Sequence, residues 1–222
     1  MNFDYLRHPE DITRRSFEII GEEVDFSGIP ESLRPVAMRL VHACALPDII
    51  PDLVWCGDVV AAGMGALESG ASILCDASMV AQGIDSLRLT AGNEVICTLR
   101  EDGVGERAKA GGITRSAAAL DHWLDHLDGA IAVIGNAPTA LFRLLELIVE
   151  GAPPPALILG FPVGYVGAAE SKEALISEAP SHGLACLTLR GRFGGSALAV
   201  AAFNALARAQ QAQQPVTRAV GP

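Results

Sequence analysis

The chain has 222 residues, of which 50% are hydrophobic and 19% are charged, so it is long enough to bury one sizeable core within a single α/β domain. Its formal net charge of −10 argues against a nucleic-acid partner, because binding a phosphate backbone requires a basic surface. No apolar run is long enough to span a membrane, and the polar N-terminus lacks the apolar core of a signal peptide. We therefore expect a cytoplasmic protein without a membrane partner.

In chain order, two helices are predicted before the repeating part of the fold. Pro9 and Glu10 open a helical pattern that runs to Glu22, and Pro30 opens a second one. From Leu53 onward, short apolar runs alternate with helical segments, which predicts a mostly parallel sheet of about six strands with helices on both faces. The predicted strands are Leu53 to Trp55, Ser72 to Cys75, Glu94 to Leu99, Ala130 to Ile134, Ala156 to Leu159 and Leu184 to Leu189.

The later helical segments and the C-terminus complete this division of the chain. Helices are predicted from Thr114 to His126 and from Ser196 to Ala209, both rich in small residues. Residues 210–222 have no periodic apolar face, so we expect a flexible tail there and one α/β domain over residues 1–209. The five scattered cysteines show no Cys-x-x-Cys spacing and are expected to be reduced and mostly buried.

Two glycine-rich loops follow predicted strands and precede predicted helices. One runs from Gly135 to Thr139 and the other from Gly160 to Gly167. A loop of this kind exposes backbone N–H groups at a helix start, where the helix dipole favours negative charge. Both loops lie beyond the carboxyl ends of strands, where open α/β sheets bind their ligands. The sequence therefore predicts an anionic small-molecule ligand at this edge of the sheet.

His42 is the histidine singled out, because it faces away from the apolar stripe of its predicted helix. It is either a solvated surface side chain or a general acid or base, since histidine exchanges protons near neutral pH. His122 and His126 share a helix face, but there is no His-Glu-x-x-His pattern and no third ligand, so a solvated polar face is favoured over a metal site. His8 and His182 lie in predicted loops without a partner.

Six cations are candidates for binding a ligand, and several of them stand at predicted strand-to-helix junctions. Arginine binds carboxylates in a bidentate manner, so these residues suit a ligand with several carboxylates, although a solvated charge is the alternative for each of them. The cations are Arg14, Arg15, Arg115, Lys172, Arg190 and Arg192. No Gly-x-Gly-x-x-Gly, P-loop or Gly-x-Ser-x-Gly pattern is present, so the sequence favours neither a nucleotide site nor a serine nucleophile.

Taken together, the ordered segments resemble the precorrin-8X methylmutase family over nearly the whole chain. The segments that carry the resemblance are Arg14-Arg15-Ser16-Phe17, Val41-His42-Ala43-Cys44, Ile73-Leu74-Cys75-Asp76, Thr114-Arg115-Ser116-Ala117, Ile134 to Leu141, Gly160 to Lys172 and Gly191 to Ser196. The resemblance implies a homodimeric α/β isomerase of cobalamin biosynthesis that needs no cofactor. Its reaction moves a methyl group from C11 to C12 of precorrin-8X and gives hydrogenobyrinic acid.

The resemblance also implies roles for individual residues. His42 is expected to assist a 1,5-sigmatropic shift by protonating the macrocycle, as the histidine of Val-His-Ala-Cys. The residues expected to hold the substrate's acetate and propionate groups are Arg14, Ser16, Arg115, Ser116, Asn136, Thr139, Lys172 and Arg190. No metal site is expected. The alternatives are a non-catalytic corrinoid carrier, a dinucleotide-dependent oxidoreductase, and the cobalt-containing substrate in place of the favoured metal-free one.

Overall fold

At the centre of the computed structural model, which describes residues 3–213, lies a six-stranded sheet with the order β1-β6-β5-β4-β2-β3. Strand β1 is antiparallel to β6, and every other neighbouring pair is parallel. The predicted mostly parallel sheet is therefore confirmed. The strands are β1 (Leu53–Cys56), β2 (Ile73–Cys75), β3 (Val95–Ile96), β4 (Ile131–Ile134), β5 (Leu157–Gly160) and β6 (Cys186–Leu189).

The helices follow the alternation that the sequence predicts. Those of the α type are α1 (Pro9–Glu23), α2 (Arg34–Cys44), α3 (Val59–Glu68), α4 (Ser78–Gly83), α5 (Val104–Gly111), α6 (Arg115–Ala119), α7 (Pro138–Val149), α8 (Ala168–Glu178) and α9 (Ser196–Gln213). Short 3-10 helices cover Pro47–Asp52, Ser86–Arg88, Thr98–Arg100 and Leu120–His126. No helix within residues 3–213 has the length and apolarity needed to cross a membrane.

Two apolar clusters cover the two faces of the sheet. On β4, Ile131 and Val133 belong to the cluster that includes α2, α3 and α9, whereas Ala132 and Ile134 belong to the cluster that includes α7 and α8. Successive strand residues point to opposite faces, so the central strands must be apolar at every position to be buried on both sides. All four residues of β4, and likewise of β5 and β6, are buried. This explains why the predicted strands read as continuous apolar runs.

Some element bounds differ from the sequence prediction. Helix α2 starts at Arg34 instead of Pro30, because Pro35 occupies the first turn of the helix, where proline is tolerated. The helix predicted from Thr114 to His126 is instead the short α6 followed by a 3-10 helix. Helix α9 continues to Gln213, beyond the predicted start of the tail, and residues 214–222 lie outside the described residues. All five cysteines are unpaired, but only Cys75 and Cys186 are fully buried.

Because strand β1 is antiparallel, it brings the N-terminal helices to the carboxyl edge of the sheet, where a ligand is expected. In β1, Leu53 pairs with Leu189 at the carboxyl end of β6, so β1 starts at the edge where the parallel strands end. The 3-10 helix that precedes β1 therefore lies at this carboxyl edge, directly after α2. The backbone N–H of Arg190 donates to the carbonyl of Asp52 at 2.8 Å and fixes this junction.

Candidate functional site

His42 lies in the last turn of α2 and is exposed, as its place opposite the apolar stripe predicts. Its imidazole stacks on the ring of Phe17 in α1, with ring centroids 5.2 Å apart and an angle of 22° between the planes. The guanidinium of Arg39 lies over the same phenyl ring, 4.3 Å from its centroid. Phe17 thus supports the imidazole while leaving it open to solvent, a position from which it can exchange a proton with a ligand.

A cleft of about 260 Å³ opens beside His42 between α1, α2 and the following 3-10 helix. Ser16 and Glu23 of α1 line one side of it, and Ala45 and Pro47 line the other. Ala45 ends α2 with φ of 55° and ψ of 33°, a left-handed conformation that disfavours residues with a Cβ atom. Backbone strain of this kind often accompanies functional sites, and here it turns the chain sharply after His42.

Arg14 and Ser16, the α1 residues predicted to bind the substrate, differ in their freedom to contact a ligand. Arg14 is exposed, but its guanidinium donates to Asp11 at 2.8 Å and to Glu18 at 3.0 Å on the same helix. The Ser16 hydroxyl donates to the carbonyl of Ile12 at 2.8 Å, which leaves its oxygen able to accept a further bond at the cleft. Of these residues, only Ser16 faces the His42 cleft directly.

Asp76 directly follows β2 and is 3% exposed. One of its carboxylate oxygens accepts from the N–H of Gly135 at 2.9 Å, and the other accepts from Asn136 at 3.0 Å and Ala137 at 2.7 Å. Burial raises the pKa of the Asp76 carboxyl, and the three N–H hydrogen bonds oppose that change. No role for Asp76 is predicted from the sequence, although an aspartate directly after a buried strand marks a position at the ligand edge of the sheet.

The expectation that the first glycine-rich loop offers its N–H groups to an anionic ligand is wrong. Strands β2 and β4 are neighbours, and the chain order reverses between them, so this is the switch point where α/β sheets open a crevice. Asp76 fills that position and takes three N–H groups ahead of α7. Asn136 is exposed, so its side chain is open to solvent although its backbone N–H is taken by Asp76.

Four sequence-selected residues come together around the start of α6 and α7. The hydroxyls of Thr114 and Thr139 lie 2.7 Å apart, so the N-terminal ends of the two helices are directly joined. Arg115 is exposed and donates to the carbonyl of Leu99 at 3.0 Å, and Ser116 follows it in the first turn of α6. The predicted group of Arg115, Ser116, Asn136 and Thr139 is thus assembled at one part of the carboxyl edge.

Lys172 and Arg190 lie on the other side of the carboxyl edge, next to β1 and β6. Lys172 has no exposed surface, and its Nζ donates to the carbonyl of Phe193 at 2.7 Å. Burial lowers the pKa of Lys172 from 10.5 to about 8, and the negative charge of Asp52 opposes that change. Arg190 is exposed, but its Nη1 is 2.6 Å from both carboxylate oxygens of Glu173.

The His42 cleft and the Arg190 junction are linked by the 3-10 helix Pro47–Asp52. Pro47 lines the cleft, and the carbonyl of Asp52 accepts from Arg190. Six residues of 3-10 helix span about 12 Å, so the two places are a short distance apart along the carboxyl edge. A large ligand with several carboxylates is the kind of molecule that can reach both places at once.

Within the part of the chain that the structure describes, no three histidine, cysteine, aspartate or glutamate side chains are grouped so as to hold a metal ion. Of the histidine pair considered from the sequence, His122 is engaged by Glu101, with Nδ1 3.2 Å from a carboxylate oxygen. His8 and His182 pair with Glu10 and Glu178 at 2.8 and 3.5 Å.

Comparison with known proteins matches most of the chain to one family. A family model described as precorrin-8X methylmutase matches residues 11–209. The chain is 55% identical to a precorrin-8X methylmutase of Pseudomonas aeruginosa over 92% of this chain and 97% of the relative. It is 52% identical to a precorrin-8X methylmutase of a Sinorhizobium species over 93% and 97% of the two chains.

More distant relatives and a solved structure agree with these matches. A cobalt-precorrin-8 methylmutase of Priestia megaterium is 36% identical, with 89% of this chain and 87% of the relative covered. The crystal structure of a precorrin-8X methylmutase from Thermus thermophilus superimposes with a TM-score of 0.82 at 40% identity. That match covers 94% of this chain and 100% of the other.

Proposed function

The chain belongs to the precorrin-8X methylmutase family, and from that premise we propose that it moves a methyl group from C11 to C12 of precorrin-8X to give hydrogenobyrinic acid. The observation that carries the assignment is the 55% identity to a precorrin-8X methylmutase over 92% of this chain. The chain is accordingly an isomerase of cobalamin biosynthesis. The higher identity to the relatives named for precorrin-8X than to the one from Priestia megaterium supports the metal-free substrate.

His42 acts as the proton donor in this proposal. Its protonated imidazole transfers a proton to the macrocycle, which makes the conjugated system more electron-poor. The bond between the methyl group and C11 then breaks as the bond to C12 forms, and the methyl group moves with its bonding electron pair. The proton returns to His42 when the product forms, so the substrate and the product have the same composition and no cofactor is consumed. The exposed imidazole, supported by Phe17 beside an open cleft, suits this role.

The substrate's carboxylates are held by side chains along the carboxyl edge. Ser16 lies at the His42 cleft, and Arg115, Ser116, Asn136 and Thr139 form the group at the start of α6 and α7. Arg14 and Arg190 each have to exchange a carboxylate of the protein for one of the substrate. The ammonium of Lys172 is buried, so this residue acts by holding the loop at Phe193 in place and does not contact the substrate itself. Fixing a large macrocycle at several points favours the one geometry from which the methyl group migrates.

The working unit is a homodimer in this proposal, and the partner covers the substrate. A cleft of about 260 Å³ is below the usual range for small-molecule pockets, so it encloses only one edge of a tetrapyrrole. Leu46 follows α2 with 44% of its surface exposed, and Ile12 of α1 is also 44% exposed. Apolar side chains next to an open cleft support a second subunit that closes over the ligand.

Mixing the purified protein with precorrin-8X and following the absorption spectrum tests the activity. The proposal predicts conversion to the spectrum of hydrogenobyrinic acid with catalytic amounts of protein. A spectrum of bound but unconverted precorrin-8X would contradict it and favour a corrinoid carrier. A parallel reaction with cobalt-precorrin-8 tests the choice of substrate, and faster turnover of that compound would overturn the metal-free assignment.

A further inference from the structure

The loops that follow β5 and β6 are joined to each other at the carboxyl edge of the sheet. These strands are parallel neighbours, so the loops leave the sheet side by side. The N–H of Gly164 in the first loop donates to the carbonyl of Arg192 in the second at 3.3 Å. The N–H of Gly195 donates back to the carbonyl of Phe161 at 2.8 Å. The two loops therefore form one unit.

Gly194 shows how closely the two loops approach. A Cβ atom at this position would lie 2.5 Å from the carbonyl oxygens of Phe161 and of Pro162, a distance that no side chain tolerates. Glycine is thus required here because the backbone of one loop lies directly against the other. Such contact leaves little room for either loop to move alone.

A hydrogen bond from Lys172 holds the joined loops in place. It projects from α8, has no exposed surface, and donates from Nζ to the carbonyl of Phe193 at 2.7 Å. No carboxylate within residues 3–213 is close enough to form an ion pair with it. An ammonium group is costly to bury, and its hydrogen bond here goes to the one loop residue between Arg192 and Gly194. The hydrogen bond of the buried Lys172 ammonium therefore fixes the position of this loop.

The joined loops expose a tyrosine ring and an adjacent guanidinium to solvent. Tyr165 is 84% exposed, and the guanidinium of Arg192 lies 5.4 Å from the centroid of its ring. Arg192 forms no ion pair with any described carboxylate, whereas Arg190, two residues earlier, is bound by Glu173. A guanidinium that stacks on an aromatic ring keeps its donor edge free for a carboxylate.

We propose that Arg192 binds a carboxylate of the substrate and that Lys172 is the positioning residue that holds the Arg192 loop in place. The inference rests on the proposed function, since it names a contact of that same site. The chemistry that Arg192 recognises is an acetate or propionate group at the rim of the macrocycle. Arg190 stands next to it with its charge already neutralised, so the two arginines of the Gly-Arg-Phe-Gly-Gly loop region differ in role.

The test compares KM and kcat for precorrin-8X in the wild type, Arg192→Gln, Arg192→Lys and Lys172→Met. The control is Lys109→Gln, which removes an equal charge from an exposed position on α5. Losing a charge-assisted hydrogen bond predicts a rise in KM of about 10- to 100-fold for Arg192→Gln. Arg192→Lys should fall between that variant and the wild type, because lysine keeps the charge and loses the planar fork.

Lys172→Met keeps the aliphatic part of the side chain and removes the donor. It should raise KM more than it lowers kcat, and combining it with Arg192→Gln should raise KM little further, because both changes act on one contact. Multiplicative effects in the double variant would overturn the positioning role of Lys172. A KM for Arg192→Gln within about twofold of Lys109→Gln would overturn the contact itself. Absence of product with the wild type would instead overturn the proposed function, and the two failures are distinct.

Discussion

The Oδ2 atom of Asp76 accepts a hydrogen bond of 2.7 Å from the backbone N–H of Ala137, across the junction between two neighbouring strands. Asp76 directly follows β2, and Ala137 precedes α7, so this bond and its two companions join the two chain segments where an α/β sheet opens a crevice. The protein has placed its own carboxylate where related architectures bind an anion. In the proposed function, the substrate is therefore held by exposed side chains of the carboxyl edge and not by these backbone N–H groups.

Asp76→Asn is predicted to destabilise the fold by about 1–3 kcal/mol. The amide oxygen of Asn can keep the bonds from Asn136 and Ala137, but its nitrogen would then face the N–H of Gly135, which leaves that buried donor unsatisfied. The measurement is the free energy of unfolding in urea, with Asp125→Asn as the control because Asp125 is exposed. Equal stability of the two variants would show that the three hydrogen bonds do not fix this loop.

Ala45→Gly is predicted to stabilise the protein by about 1 kcal/mol. Ala45 has a φ of 55° and is exposed, so removing its Cβ relieves backbone strain without losing buried surface. Thermal unfolding at fixed protein concentration measures the effect. Ala43→Gly serves as the control, because Ala43 is exposed within α2 and glycine should destabilise the helix there. A lower melting temperature for Ala45→Gly would contradict the strain.

Gly194→Ala is predicted to lose stability and to raise KM, because its Cβ would press against two carbonyl oxygens of the neighbouring loop. We expect a loss of about 2 kcal/mol or more. Gly65→Ala is the matched control, since Gly65 is exposed on α3 with nothing within 4 Å of the added atom. Urea unfolding separates the two, and a Gly194→Ala variant as stable as Gly65→Ala would refute the close contact.

Lys172 should make stability depend on pH in alkaline solution. Burial lowers its pKa from 10.5 to about 8 in the folded protein, so between these values the unfolded chain binds more protons than the folded one. Stability from this group therefore rises with pH across that window and is lowest below pH 8. From pH 7 to pH 9.5, the wild type should gain about 2 kcal/mol relative to Lys172→Met. Urea unfolding of both proteins at the two pH values measures this gain. The same difference in the free energy of unfolding between the two proteins at both pH values would contradict a buried charge at Lys172.

Much of the fold could be predicted because its causes are local. Strands such as β4 and β5 are buried on both faces and must be apolar throughout, so their positions are visible in the sequence. Helix α2 carries an apolar stripe that fixes the orientation of His42, and its exposure follows from that stripe alone. The antiparallel direction of β1 could not be predicted in this way, because it depends on how the N-terminal helices pack.

The site could be predicted only in part, because its contacts join residues far apart in the chain. That Asp76 would reach Ala137, or Lys172 would reach Phe193, depends on which strands are neighbours. Local composition also cannot distinguish Arg190 from Arg192, although Glu173 engages only the first of them within the described residues. The roles of the selected residues in substrate binding and of His42 in catalysis stay predictions.

The role of His42 is tested most directly by comparing the turnover of His42→Ala with that of His182→Ala, with the affinity for hydrogenobyrinic acid measured on both proteins. His182 is the control because it is an exposed histidine paired with Glu178 in another part of the fold. We expect His42→Ala to lower kcat by about 100-fold or more, the usual range for loss of a general acid, while the product still binds. Turnover of His42→Ala within a few-fold of His182→Ala would contradict the role of His42 as the proton donor.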